Sequence, residues 1–109
     1  MKFIESVFNP GGALEQEFPS YEHRPQQLAF AKKIQEAIDK RQHLICEAPC
    51  GVGKTFAYLV PAIEYSLTEK EPVIISTANI ALQEQLIQKD IPTIAKVLKI
   101  DLKYCLAKG

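Results

Sequence analysis

A lysine and a hydroxyl side by side, directly behind two closely spaced glycines, have the makings of a site for a phosphate chain. Residues 48–55 read Ala48-Pro49-Cys50-Gly51-Val52-Gly53-Lys54-Thr55 and follow the apolar run Leu44-Ile45-Cys46. In such a turn the successive backbone N–H groups point inward and enclose an anion. The first N–H groups of the helix that follows are unpaired and lie at the positive end of its dipole, so they favour the same anion. Gly51 and Gly53 let the backbone close around a ligand with no Cβ in the way. Lys54 would set its ammonium between the β- and γ-phosphates, and Thr55 would place its hydroxyl on Mg²⁺; these two are the candidate catalytic residues. The usual pattern begins with glycine, and Ala48 stands there instead, at a strand end where a small side chain suffices. The bland alternative is a chance Gly-x-Gly-Lys turn. A loop of this kind does not name its nucleotide, since kinases, GTPases, transporters and helicases all use it.

The elements that must hold the loop follow from pattern. Residues 1–22 are turn-rich, with one or two helical turns expected over Ala13–Phe18; residues 23–109 form the larger domain. Pro25 to about Arg41 reads as a helix, because Phe30, Ile34, Ala37 and Ile38 make one apolar stripe and Pro25 suits a first turn. Leu44–Ala48 is expected as a short strand buried on both faces. A nearly apolar helix from about Gly53 to Leu67 follows, kinked by Pro61 near Ala57–Tyr58. Pro72–Thr77 is the second expected strand. Asn79 to about Lys89 is a helix with Ile80, Leu86 and Ile87 inward, Pro92 opens another to about Lys99, and Leu102–Ala107 is a third strand. Alternation of this kind indicates βαβ units and a parallel sheet: an α/β fold of three parallel strands flanked by helices.

The chain has 109 residues, enough for a single core, and its formal net charge is zero, so no global basic field announces a nucleic-acid partner. Five lysines (Lys89, Lys96, Lys99, Lys103, Lys108) against Asp90 and Asp101 leave a local excess of three, which a solvated helix face explains. Three cysteines give no C-x-x-C pair. Cys46 and Cys105 sit in apolar runs as expected buried hydrophobes, and Cys50 lies in the loop. A metal site at His43, Cys46 and Cys50 is not expected, because strand alternation puts His43 and Cys46 on opposite faces and a fourth ligand is missing. With no leader-like segment and no run of membrane-spanning length, the expected compartment is reducing and cytoplasmic, with no membrane partner.

Two neighbours of the loop narrow the reading. Upstream, in Tyr21-Glu22-His23-Arg24-Pro25-Gln26-Gln27, the amide of Gln27 is a planar group able to make paired hydrogen bonds with adenine's N6 and N7 edge. Alone, it is better read as a solvated glutamine in a first helical turn. Downstream, Ser76-Thr77-Ala78-Asn79 lies at the carboxyl end of an expected parallel strand, where α/β proteins place ligands. Its hydroxyls, amide and free helix N–H groups can hold a strand's phosphate, although Thr77 or Asn79 also suits a simple helix cap. Together with the loop, these segments resemble the DinG/XPD-like family of superfamily 2 helicases across the whole chain, including Gly11-Gly12-Ala13-Leu14 and Tyr21-Glu22-His23-Arg24-Pro25. The resemblance implies a partial RecA-like P-loop NTPase fold in which Gln27 (motif Q) reads adenine, residues 48–55 (motif I) hold ATP and Mg²⁺, and Ser76, Thr77 and Asn79 (motif Ia) contact single-stranded DNA. It also implies 5′-to-3′ travel and a role in DNA repair or replication.

Hydrolysis needs a carboxylate at the end of a further apolar strand to hold Mg²⁺ and orient water. Leu102–Ala107 is followed by Lys108-Gly109, and neither Asp90 nor Asp101 follows an apolar strand. The family's Asp-Glu-x-His-type box, arginine fingers, second lobe and the four cysteines of its iron–sulfur cluster are not among these residues; Cys105 is not counted as a ligand. The chain alone is therefore expected to bind ATP weakly, to lack turnover and to self-associate through an open sheet edge. Two alternatives stand beside this: another P-loop phosphotransferase, or a non-catalytic module binding nucleotide or DNA.

Overall fold

In the computed structural model, which describes residues 2–47 and 53–107, the chain divides into two compact units, Met1–Val73 and Ile74–Gly109. The first unit holds α1 (Lys2–Phe8), α2 (Ala13–Glu17), α3 (Pro25–Asp39) and α4 (Lys54–Glu69). Helix α1 is the element that the turn-rich composition concealed. Ile4, Val7 and Phe8 follow three- and four-residue helical spacing and are essentially unexposed, as is Leu14 of α2. Each such side chain contributes about 1.5–3 kcal/mol by leaving water, which is ample reason for a seven-residue helix to form. Helix α1 packs on α2 and on α3, and α3 packs on α4. An ion pair from Lys32 to Glu5 at 2.8 Å joins α3 to α1. Lys32 holds the Glu5 carboxyl below its ordinary range by hydrogen bonding and charge. On an exposed surface this adds little stability.

Helix α3 keeps its expected start at Pro25, but its deepest stripe is Gln27, Ala31 and Gln35 at four-residue spacing, with the expected Phe30, Ile34, Ala37 and Ile38 only partly covered. Helix α4 buries Ala57, Leu59, Val60, Pro61 and Ile63, as its apolar composition requires. Helices α3 and α4 both stop without glycine: Arg41 and Lys70 take up positive φ. After α3, the Gln42 N–H donates to the Ala37 carbonyl at 2.9 Å, closing the terminal turn.

The second unit is a continuous helical run: α5 (Ile80–Gln85), a π-helical turn (Leu86–Asp90) and α6 (Ile91–Leu98). The sequence suggested a break before Pro92. Instead, the Ile91 N–H donates to the Leu86 carbonyl, five residues back. The wider turn takes in one extra residue ahead of a proline that can donate no bond of its own. Its register explains the burial of Leu86 together with Ile91, Ile94 and Val97, while Ile80 is exposed rather than inward.

The expected parallel sheet is absent: among the described residues there is no strand. The apolar segments at 44–47, 73–75 and 102–107 are non-helical but join no ladder. A parallel strand needs backbone partners beside it and helices over both its faces. Here Leu44, Ile45, Val73, Ile74, Ile75 and Tyr104 are all exposed. Cys46 and Cys105, expected to be buried with the strands, are exposed free thiols. A run of three to five apolar residues states a preference for burial, not a partner that provides it.

Candidate functional site

Gly53 ends the approach to α4 in the left-handed region, with φ +78° and ψ +47°, and Lys54 and Thr55 open the helix behind it. A glycine suits this position twice over. Its φ strains any residue with a Cβ, and a Cβ built there would lie 2.2 Å from Gln27 Nε2 and 3.6 Å from a guanidinium nitrogen of Arg24. The Gly53 carbonyl accepts from Gln27 Nε2 at 3.1 Å and from the Ala57 N–H at 3.2 Å, which engages both of its lone pairs. Lys54 is exposed and Thr55 half-buried, at the first two positions of a sixteen-residue helix whose leading N–H groups favour anions.

Gln27 is placed by the helix that carries it. Arg24 caps α3 in extended conformation, Pro25 fills the first turn, and the Gln27 N–H donates to the Arg24 carbonyl at 3.0 Å. The side chain is 2 % exposed. Its Oε1 accepts from the Tyr21 hydroxyl while its Nε2 donates to the Gly53 carbonyl, so the start of α3 and the residue directly before α4 are joined directly. Burial pushes the Tyr21 phenol above its ordinary pKa, with the nearby Arg24 charge acting the other way. The phenol therefore stays protonated, as a donor, throughout the neutral range. His23 Nδ1, on the same segment, lies 2.9 Å from the Phe8 carbonyl and ties the approach to α1.

Tyr21 and Arg24 are functional candidates that residue-by-residue reading passed over. Their signal was the Tyr-Glu-x-Arg-Pro segment, whose first and fourth side chains both reach the Gln27–Gly53 junction. Ala48, Pro49, Cys50, Gly51 and Val52, the remainder of the expected phosphate loop, lie outside the described residues.

In the second unit, the turn at 76–79 does what a cap does. Asn79 Oδ1 accepts from the Leu82 N–H at 3.1 Å, Thr77 Oγ1 accepts from the Asn79 N–H at 3.2 Å, and Gln83 Nε2 donates to the Thr77 carbonyl at 2.8 Å. Ser76 and Asn79 are exposed and Thr77 is partly so. The cap and an outward-facing polar turn thus coexist at these residues.

Comparison with known proteins matches residues 24–109 to the DEAD/DEAH box helicase family. The chain is 44% identical over 102 residues to an ATP-dependent DNA helicase, YoaA, of Escherichia coli K12, covering 94% of this chain and 15% of that protein. It is 37% identical over 99 residues to the ATP-dependent DNA helicase DinG of the same organism, covering 89% and 14%. It is also 37% identical over 97 residues to a 3′-5′ exonuclease, DinG, of Bacillus subtilis, covering 89% and 10%. The chain thus spans a small part of the length of these relatives.

Proposed function

Since the chain belongs to the DEAD/DEAH box helicase family, we propose that these residues are the ATP-binding part of an ATP-dependent DNA helicase that travels 5′-to-3′ in repair or replication. The observation that supports the reading is the bond from Gln27 to the Gly53 carbonyl, which joins an amide able to pair with adenine to the glycine directly before Lys54 and Thr55. Gln27 takes the adenine edge. The backbone of Ala48, Pro49, Cys50, Gly51, Val52 and Gly53 encloses the phosphates, with the Lys54 ammonium between the outer two. Thr55 offers its hydroxyl to Mg²⁺ at the start of α4. The residues fit this ligand: Gly53 has the left-handed backbone and the Cβ-free approach that such a loop requires. Bound ATP and Mg²⁺ would supply the transferable phosphoryl group, and these side chains hold and orient it. Ser76, Thr77 and Asn79 contact the backbone of single-stranded DNA.

The 109 residues alone bind ATP without turning it over, because among the described residues no carboxylate follows a strand that would place it to orient the attacking water. The test is binding of a fluorescent ATP analogue to the chain, competed by ATP and by GTP. ATP competes better than GTP, and Lys54→Ala weakens binding at least about tenfold, in keeping with a lost charge-assisted contact. Equal competition by the two nucleotides would count against Gln27 as the reader. DNA-stimulated hydrolysis that disappears in Lys54→Ala would refute the absence of turnover.

A further inference from the structure

Gln27 carries two donors and two acceptors, and the protein presents it with one hydrogen-bond donor, the Tyr21 hydroxyl on Oε1, and one acceptor, the Gly53 carbonyl on Nε2. Adenine offers the same pair, a donor at N6 and an acceptor at N7, whereas guanine offers acceptors at both O6 and N7. The pairing that the base would make is therefore already made from within the chain, and at 2 % exposure no part of the amide is left open to a ligand. We propose that Tyr21 is a placeholder for the base: its hydroxyl fills the adenine amino position on Gln27, and a purine binds by displacing it.

This inference rests on Gln27 being the base-reading residue. Its consequence is a selectivity set by exchange. When adenine displaces the phenol, Oε1 trades one donor for another and the buried amide stays satisfied. When guanine does so, Oε1 loses a donor and faces an acceptor, which is a desolvated, unpaired arrangement. Tyr21 is half-buried and on the approach to α3, outside the helix itself, so it can swing away without unwinding a turn. Its protonated state across neutral pH keeps the hydroxyl in the donor role that the exchange requires.

The placeholder has a sign that a supporting role lacks. Tyr21→Phe keeps the ring and removes only the hydroxyl, so the free chain is left with an unpaired Gln27 acceptor that adenine then satisfies. ATP binding to the 109-residue chain should tighten by about 3- to 10-fold, and GTP binding should tighten by the same factor, because either base binds with the phenol displaced, so the preference for ATP stays as it was. A residue that merely positions Gln27 gives the opposite result, weaker ATP binding, and that outcome or an unchanged affinity would overturn the proposal. In the unmutated chain, saturating ATP should shift the Tyr21 ring signals in the NMR spectrum, assigned by their loss in Tyr21→Phe. A ring that does not respond to bound ATP would also overturn it. Lys54→Ala, measured alongside, separates the two failures: if nucleotide binding never depends on Lys54, the nucleotide site itself is wrong, whereas dependence on Lys54 without a Tyr21 effect sinks the placeholder alone.

Discussion

At the scale of single residues, Gly53 joins backbone strain to function. Two glycines of the chain, Gly11 and Gly53, share φ +78°, but a Cβ added at Gly11 meets nothing within 4 Å, whereas one at Gly53 runs into Gln27. Gly11→Ala therefore isolates the cost of a left-handed alanine, about 1–2 kcal/mol. Gly53→Ala should lose that amount and the Gln27–Gly53 bond besides, with nucleotide affinity falling in Gly53→Ala and unchanged in Gly11→Ala. Chemical denaturation of both variants beside a nucleotide titration makes the comparison. Equal losses of stability with nucleotide binding intact in both would show that Gln27 and Gly53 do not act together. The residue types suggested a phosphate loop by spacing, and the left-handed backbone that a glycine at position 53 allows was legible with them. The bond between Gln27 and Gly53 was not, because it joins residues 26 positions apart and no periodicity encodes which distant carbonyl an amide will find.

Among the elements, α3 and α4 were readable, whereas α1 and the state of the segments expected as strands were not. Pro25 and the apolar composition of α4 fixed two helices to within a few residues, because helical periodicity is satisfied locally. The π-helical turn before Pro92 hid a continuous run, since one inserted residue shifts the apolar register that a pattern reading relies on. The segments expected as strands failed for the converse reason: their state depends on partners that a local pattern does not specify. Helix α5 offers a separable question, because Asn79 both caps it and stands among the proposed DNA contacts. Asn79→Ala removes the bond to the Leu82 N–H and should destabilise the second unit by about 1 kcal/mol. Asn79→Asp keeps a capping carboxylate at the positive end of the helix and so holds stability, while its charge repels a phosphate. Loss of single-stranded DNA binding in Asn79→Asp at full thermal stability is the expected outcome. Undiminished DNA binding by that variant would leave Asn79 a cap and nothing more.

For the whole molecule, the decisive fact is how much apolar surface the non-helical segments leave in water. Ile45 is 101% and Ile74 89% exposed, each in a segment whose backbone N–H and C=O groups join no ladder. Backbone that joins no ladder and is flanked by β-branched side chains can pair with another chain once it extends. The chain's formal net charge of zero supplies no long-range repulsion against that encounter. No helix among the described residues is long and apolar enough to cross a membrane. The sheet edge that suggested association is absent among the described residues, so association is now a prediction that rests on single segments joining no ladder. Sedimentation of the 109-residue chain should show a mean mass that rises with concentration. Ile45→Lys combined with Ile74→Lys should suppress that rise. Because both side chains are exposed, the double variant should change folding stability by no more than about 0.5 kcal/mol per site. A chain that stays monomeric at high concentration, or a double variant that associates as before, would place the driving surface elsewhere. Suppressed association with nucleotide binding retained would instead show that the phosphate-binding residues work within one copy of the chain.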